Sequence, residues 1–420
     1  RRLAWLVLLG ALRGGSPEDW VDELEAHRHR YAAAVEDFDR ETAIQALDPN
    51  LCNPLSRSAG NPFVKIRASE ELLREIWKDV ERTFSEDDLL SSTESRKALQ
   101  RILLHWCRQR GGGDAGLAEH GYRQGMNELA AICFSVVKQG ALAGAATQGP
   151  EPLGFRLCGP AHDEADAFTL FDQLMVGAAQ LAMFTHPGTS ACPRQPARSP
   201  VGELPRPRRE PSAAEPGPPA SAILARCQYI HDVLLKAVDG ELHAHLQQLE
   251  VEPPVFLLRW LRLFFCREFE LEEAVLLWDR IFADAHRTCS VSGPPYPSFG
   301  PDSAAIVREA SAASSALPLV DYLAVALLVR QRGELLSGDQ TDCLRRLMAS
   351  ARAPEQGAPS ESSVEQLVEA AARLRGRLAE RPYVTAEVCA PAPGRAATPE
   401  ECPRRRQQLL PRCPAGGQGR

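Results

Sequence analysis

Residues 69–84, Ser-Glu-Glu-Leu-Leu-Arg-Glu-Ile-Trp-Lys-Asp-Val-Glu-Arg-Thr-Phe, carry the pattern that decides the fold. Their apolar side chains recur at spacings of three and four residues, which places them on one face of an amphipathic helix. The same spacing recurs through most of roughly the first 350 residues, whereas the two-residue alternation typical of strands is scarce. The sequence therefore predicts an all-α fold.

Further helices follow from the same periodicity and from residues that favour helix starts. Ser16 before Pro17, Ser69 before Glu70, and Ser221 are predicted N-caps, because a serine side chain can accept a hydrogen bond from the first turn. The predicted helices cover residues 17–36, 69–84, 93–110, 125–139, 165–184, 221–249, 254–265, 271–285 and 319–332.

Composition and charge narrow the class of protein. The chain has 420 residues, of which 44% are hydrophobic and 25% charged, as in an ordinary globular protein with a large core. The net charge of −7 provides no general basic field for a phosphate backbone, so no nucleic acid partner is expected. The 12 cysteines form no Cys-x-x-Cys pair, and several lie within apolar runs, which favours reduced thiols in the cytosol.

Three segments interrupt the helical pattern. Residues 186–220 hold ten prolines among mixed charges and are predicted to be a disordered insertion. Residues 288–317 are rich in Ser, Pro and Ala and are predicted to be a second insertion. A mostly disordered tail, 349–420, is predicted to contain one modest helix at 362–380. The predicted folded domain is therefore 1–348, with an N-terminal lobe at 1–185 and a C-terminal lobe at 221–348.

The first ten residues, Arg-Arg-Leu-Ala-Trp-Leu-Val-Leu-Leu-Gly, imitate a signal peptide. The apolar run is too short to span a bilayer, it lacks a clear cleavage site, and amphipathic sequence follows at once. We therefore expect this segment to belong to the fold.

Two short motifs carry candidate chemistry. In the first, Asp79 and Arg82 are three residues apart on a helix, so the carboxylate can orient the guanidinium. An isolated pair of this kind is usually a surface ion pair of little energetic value. The second motif is Gly121-Tyr-Arg-Gln-Gly-Met-Asn-Glu-Leu129, a glycine-flanked turn before an apolar helix, in which Gly125 permits close backbone approach beside the Gln124 amide. Alone, it is an ordinary turn before a helix.

Together, Ile-x-x-Asp-x-x-Arg-Thr at 76–83 and Tyr-x-Gln-Gly-Met at 122–126 resemble the paired signature of the TBC family of Rab GTPase-activating proteins. The likeness includes Trp5, Trp20 and Tyr31 near the start, resumes at 257–265 and 273–282, and spans roughly 1–348. It implies a two-lobed multi-helix domain. Within the family the likeness is greatest to a retromer-associated endosomal subgroup, on stretches such as 53–56, 252–256 and 319–322.

The resemblance implies that this protein accelerates GTP hydrolysis in a partner protein. Arg82 would be a finger that neutralises charge on the γ-phosphoryl group of a partner's GTP, and Gln124 a second finger that positions the attacking water. Asp79 would orient Arg82. The glutamine loop would be supported by Tyr122, Gly125 and Met126, and Thr83 would cap the helix end. Because Mg²⁺ and GTP belong to the partner, the chain would need no cofactor of its own and no Walker motif, and its sequence has none.

The resemblance also implies partners and a location. The expected partners are a Rab-family GTPase and retromer subunits. The protein is expected to be cytoplasmic and to attach peripherally to endosomal membranes through its partners. An alternative is a non-catalytic scaffold that binds Rab or retromer, since the insertions and tail offer docking sites; intact Arg82 and Gln124 favour catalysis.

Two other features of the sequence are not expected to form binding sites. His243 and His245 with Glu241 are not expected to bind a metal, because side chains two apart on a helix diverge. The basic cluster at 404–406 is typical of a solvated tail.

Overall fold

The computed structural model describes residues 1–43, 61–110, 121–141, 152–184, 221–289, 317–349 and 360–379. Within these ranges the regular structure is helical and no strand occurs, so the predicted all-α fold is confirmed. The predicted insertion at 186–220, most of the one at 288–317 and most of the predicted tail lie outside the described residues.

The N-terminal half contains seven α-helices within the described ranges. In chain order they are α1 (Arg2–Leu8), α2 (Pro17–Ala43), α3 (Pro62–Val80), α4 (Thr93–Arg110), α5 (Met126–Gln139), α6 (Leu153–Cys158) and α7 (Asp163–Asp172). Helix α5 packs against both α4 and α7, and α3 packs against α4. Residues 126–137 of α5 are all buried, because this helix is apolar on nearly every face. The helix that follows the glutamine motif is thus the centre of this half.

The C-terminal half begins with α8 (Ala222–Gln228), which continues through a π-helical turn (Tyr229–Leu235) and a short helix (Lys236–Val238). The helices after it are α9 (Gly240–Gln248), α10 (Pro253–Arg262), α11 (Leu271–Cys289), α12 (Leu319–Arg330), α13 (Arg332–Ser337), α14 (Gln340–Met348) and α15 (Ser360–Ala379). Helix α10 packs against α8, and α12 packs against the π-helical turn. The aromatic run of Trp260, Phe264, Phe265 and Trp278 is buried, as its sequence predicts.

The N-terminal run that imitates a signal peptide forms α1 and joins the two halves. Trp5 is fully buried and stacks on Trp278 with ring centroids 5.8 Å apart. Arg2 is also buried and forms ion pairs with Asp163 at 2.9 Å and Asp166 at 2.6 Å. A buried arginine without such partners would be strongly destabilising, so these contacts fix α1 against α7.

Several predicted helix boundaries were wrong, and each error has a local cause. Helix α3 begins at Pro62, seven residues before the predicted start, because the Asn61 side chain accepts a hydrogen bond from the Phe63 amide at 3.1 Å. Ser69 caps nothing; its buried hydroxyl accepts a hydrogen bond from Arg108. By contrast, Ser16 caps α2 as predicted, since its hydroxyl accepts from the Asp19 amide at 3.2 Å.

The helices predicted at 165–184, 221–249 and 319–332 are each interrupted. The first passes into a π-helical turn (Gln173–Gly177) and then breaks at Ala179, whose φ is +57°. The second breaks at Asp239, which leaves helical geometry and caps α9 by accepting from the Leu242 amide at 3.0 Å. The third breaks at Gln331, between α12 and α13. The middle break redirects α9, which then packs against the π-helical turn that follows α8.

The helix predicted in the tail is present as α15, and it is packed against α11 and α12. Its buried face includes Val364, Leu367 and Ala371, and Arg375 forms an ion pair with Asp284 of α11 at 2.6 Å. Among the described residues, no helix combines the length and the apolar character needed to cross a bilayer.

Candidate functional site

The arginine motif lies where α3 ends and the chain turns. Helix α3 stops at Val80, and the Thr83 hydroxyl donates a hydrogen bond of 2.7 Å to the Asp79 carbonyl, which satisfies a C-terminal acceptor of the helix. Arg82 then projects from the turn with 62% of its side chain exposed. One of its nitrogens, Nη2, donates to Asp79 Oδ1 at 2.6 Å. The guanidinium is thus oriented by a carboxylate while most of its surface remains open to a partner.

In the glutamine motif, as far as the structure describes the chain, the backbone is held by hydrogen bonds and the functional side chain is not. Gln124 is exposed, and its side chain makes no hydrogen bond to any residue that the structure describes. The backbone around it is held instead: the Met126 amide donates to the Arg123 carbonyl at 3.1 Å, and the Gly125 amide donates to Asn127 Oδ1 at 2.9 Å. Gly125 has a φ of +104°, a conformation that side chains with a Cβ rarely adopt.

A buried chain of hydrogen bonds joins the two motifs. The Tyr122 hydroxyl lies 2.7 Å from Asp79 Oδ2 and 3.0 Å from Asn127 Oδ1. A phenol has one hydrogen, and the shorter contact to the charged carboxylate takes it. Burial raises the pKa of Tyr122, and the hydrogen bond to Asp79 raises it further, so the phenol keeps this proton. Asp79 therefore binds Arg82 with one oxygen and the glutamine motif with the other.

Asn127 is a site residue that the sequence did not single out. Its amide Nδ2 donates to Thr83 Oγ1 at 2.7 Å, while its Oδ1 accepts from the Gly125 amide. One buried carboxamide thus contacts both motifs and holds the glycine turn. An asparagine in the first turn after a glycine is a recognisable capping candidate, but its second contact, to a residue 44 positions away, has no local signature.

Residues of the C-terminal half pack against the glutamine turn. A Cβ added to Gly125 would lie 2.8 Å from Leu263 Cδ2 and 3.5 Å from Phe184 Cε1, so the glycine lets this turn rest directly on Leu263. Glu128, in the first turn of α5, forms an ion pair with Arg267, and the hydrogen bond to Glu128 raises the pKa of Arg267. The position of Gln124 therefore depends on contacts with residues well over a hundred positions away.

The residues named from the sequence fall into three groups. Arg82 and Gln124 are exposed, Asp79, Thr83 and Tyr122 belong to the hydrogen-bonded chain, and Gly125 forms the turn. Met126 is buried, and its sulfur accepts a hydrogen bond from the Arg123 amide at 3.4 Å, which tightens the turn. All seven lie in two adjacent segments of the N-terminal half.

Comparisons with known proteins identify the family to which the chain belongs. The model of the Rab-GTPase-TBC domain family matches residues 1–191 and 218–292, more than half of the chain. The chain belongs to the Rab-GTPase-TBC domain family. It is 29% identical over 357 residues to TBC1 domain family member 5 from Homo sapiens, covering 83% of this chain and 39% of that protein. The Mus musculus protein of the same name is 30% identical over 83% of this chain and 38% of its own length.

A solved structure supports the fold assignment. The crystal structure of the Ypt/Rab-GAP domain of Gyp1p superposes with a TM-score of 0.55 at 17% identity, covering 90% of this chain and 88% of that one. At this identity the likeness establishes the shared TBC fold. Because the chain spans about two fifths of the length of the mammalian relatives, what those whole proteins do does not transfer to it directly.

Proposed function

We propose that this TBC domain is a GTPase-activating protein for a Rab-family small GTPase, with Arg82 and Gln124 entering the partner's nucleotide site. One observation carries the proposal: Asp79 and Asn127 connect the two motifs through buried hydrogen bonds, while Arg82 and Gln124 themselves remain exposed. Such an arrangement holds the two segments that carry these side chains against each other and leaves both side chains exposed.

The chemistry of GTP hydrolysis requires both groups. Charge spreads over the γ-phosphoryl oxygens in the transition state, and a permanently charged, planar guanidinium can neutralise it. A carboxamide both donates and accepts hydrogen bonds, so Gln124 can hold a water in line with the phosphorus. Mg²⁺ and GTP are carried by the partner in this proposal. Arginine fingers accelerate turnover by about 10³ to 10⁵, or roughly 4 to 7 kcal/mol.

The test is single-turnover GTP hydrolysis across a panel of purified Rab proteins loaded with GTP and Mg²⁺. We expect the wild-type chain to accelerate at least one Rab, and Arg82→Ala and Gln124→Ala each to remove the acceleration. Arg40→Ala is a matched control, because Arg40 also pairs with an aspartate three residues before it, Asp37, and is also exposed. Its rate should equal that of the wild type.

The same assay separates catalysis from scaffolding. If a Rab binds the chain but hydrolyses GTP at its intrinsic rate, with or without the two substitutions, the chain is a Rab-binding scaffold. The identity of the substrate depends on surface complementarity between the two proteins, which the panel measures directly.

We further propose that the chain associates with endosomal membranes through partners that include retromer subunits. The support is the sequence likeness of the stretches at 252–256 and 319–322 to the retromer-associated subgroup. Pull-down from a cell lysate, probed for retromer subunits against an unrelated TBC domain as control, tests this proposal. A negative result would remove the retromer partner and leave the hydrolysis assay unaffected.

A further inference from the structure

Three side chains with metal-ligand atoms converge in the C-terminal half, in a place that has no part in the proposed GTPase chemistry. His231 and Asp232 lie in the π-helical turn that follows α8, and His243 lies on α9. The break at Asp239 and Gly240 folds α9 back so that His243 faces the turn. His243 thus has ligand-bearing neighbours after all, and they come from a different helix than the residues that the sequence had suggested.

The distances suit a small cation. Asp232 Oδ1 lies 2.7 Å from His231 Nδ1 and 3.4 Å from His243 Nε2. The ligand atoms of all three residues lie within 4.8 Å of one another, and the two imidazole rings are 4.7 Å apart between centroids. One carboxylate oxygen therefore faces two ring nitrogens. This is a compact set of two imidazoles and one carboxylate, a combination that zinc and related transition metals bind.

The two histidines of the cluster are shielded from solvent. Both imidazole side chains are nearly buried, with 4% and 8% exposed. Neutral imidazoles and an ionised carboxylate are the forms that coordinate a metal.

Two members of the cluster, His231 and Asp232, line a cleft of about 360 Å³ that is large enough to admit an ion. Asp232 is 43% exposed, so the site has a route from solvent. The cleft is also lined by Gln228, Gln247, Glu250 and Glu252. A water from this cleft can complete a fourth coordination position.

We propose that His231, Asp232 and His243 form a binding site for a divalent transition metal, with zinc as the ion whose ligand preferences fit best. Bound there, the ion links the π-helical turn to α9. His231 Nε2 is buried without a hydrogen-bond partner among the described residues, so the site lacks an acceptor behind this ligand. Loss of such support typically costs about 10- to 100-fold in affinity, and we expect a correspondingly weaker site than a fully supported zinc centre.

The test titrates Zn²⁺ into the full chain after removal of metal with a chelator, and follows binding by calorimetry. We expect one equivalent to bind to the wild type, and Asp232→Asn and His243→Gln each to weaken that binding by at least about 100-fold. His245→Gln is the matched control, because His245 lies on the same helix two residues from His243 and outside the cluster. It should bind as the wild type does. Circular dichroism of the metal-free variants checks that each is folded.

Cobalt substitution identifies the ligands independently of affinity. The 12 cysteines offer a competing origin for zinc binding, and a thiolate ligand would give bound Co²⁺ an intense sulfur-to-metal charge-transfer absorption. We expect the visible bands of a nitrogen and oxygen site without that absorption, and their loss in Asp232→Asn. The proposal is overturned if the wild type binds no Zn²⁺, if folded Asp232→Asn and His243→Gln bind it unchanged, or if the cobalt spectrum shows thiolate ligation.

Discussion

The arginine and glutamine motifs present their functional side chains by opposite means. Arg82 follows the end of a helix, and its side chain is oriented by a hydrogen bond to Asp79. The Gln124 side chain makes no hydrogen bond to a residue within the described ranges, and the backbone that carries it is held by Gly125, by Asn127 and by contact with Leu263. The arginine motif is thus preorganised at the level of the side chain, and the glutamine motif at the level of the main chain.

This contrast fits the roles that we propose. An arginine finger neutralises negative charge that is delocalised over the phosphoryl oxygens. If its guanidinium is already oriented, less rotamer entropy is lost when the complex forms. A carboxamide that positions a water needs a backbone held at a fixed distance from the partner's nucleotide. Its side-chain rotamer can be selected by contacts with the partner. Substitutions should therefore affect the two motifs through different neighbours.

The largest effect is expected for Arg82→Lys. Lysine keeps the positive charge but loses the planar fork of donors, so we expect the acceleration of GTP hydrolysis to fall by about 10³-fold or more. The free energy of unfolding should change by less than about 1 kcal/mol, because the ion pair is largely exposed on the arginine side. Single-turnover hydrolysis and thermal unfolding measure the two quantities. A lysine variant with wild-type activity would mean that charge alone suffices.

Gly125→Ala should have the next largest effect, because it displaces the backbone that carries Gln124. The added Cβ would lie 2.8 Å from Leu263, and the φ of +104° would be strained at a cost of about 1 to 3 kcal/mol. A displacement of about 1 Å at the site can cost about 10²-fold in rate, and we expect a loss of that order.

The control for this prediction is Gly333→Ala, since a Cβ at Gly333 meets no atom within 4 Å. Its hydrolysis rate should match that of the wild type. An active Gly125→Ala variant would contradict the idea that the main chain of the glutamine motif is held in a fixed position.

Asn127→Ala should lower the acceleration by about 10- to 100-fold, because it removes contacts to both motifs at once. It leaves the Gly125 amide and the Thr83 hydroxyl short of a buried partner, at about 1 to 3 kcal/mol for an unsatisfied group. We expect kcat to fall more than KM for the Rab rises, since Asn127 is buried and positions other residues.

Gln139→Ala, at the far end of the same helix, serves as the control for Asn127→Ala. Gln139 is exposed, and its Nε2 donates a local hydrogen bond, 3.1 Å long, to Ser135 within the described part of the chain. If both variants reduced activity equally, the effect would reflect the stability of α5 and not the connection between the motifs.

The smallest effect is expected for Asp79→Asn. The amide can still accept a hydrogen bond from Tyr122, but it loses the charge that orients Arg82. We expect the acceleration to fall by about tenfold, in line with about 1.5 kcal/mol for a hydrogen bond between charged groups. Asp37→Asn, which breaks the exposed Asp37–Arg40 pair, should leave the rate unchanged. Equal rates for Asp79→Asn and the wild type would show that Arg82 needs no orienting partner.

Local sequence information predicted much of this molecule. Helical periodicity gave the fold class, and the segments around Arg82 and Gln124 were recognisable because each motif is contiguous in the chain. The breaks at Asn61-Pro62 and Asp239-Gly240 were also readable in principle, since both are pairs of cap and turn residues. The first was missed because Ser69 offered an alternative cap, and the second because apolar periodicity continues across it.

The remaining features depend on residues far apart in sequence. Nothing near Asn127 indicates its contact with Thr83, and nothing near Gly125 indicates that Leu263 packs on it. The approach of His243 to Asp232 depends on how α9 turns back after Asp239. Such contacts follow from the tertiary packing, which one sequence does not specify by periodicity or motif.

The most direct test of the central proposal is binding of a Rab partner loaded with GDP, Mg²⁺ and aluminium fluoride, which imitates the transferring phosphoryl group. If Arg82 and Gln124 act together on that group, the wild-type chain should bind tightly only when fluoride is present, and Arg82→Ala and Gln124→Ala should each lose this dependence. Binding that is equally tight with and without fluoride, or unchanged by the two substitutions, would contradict the account.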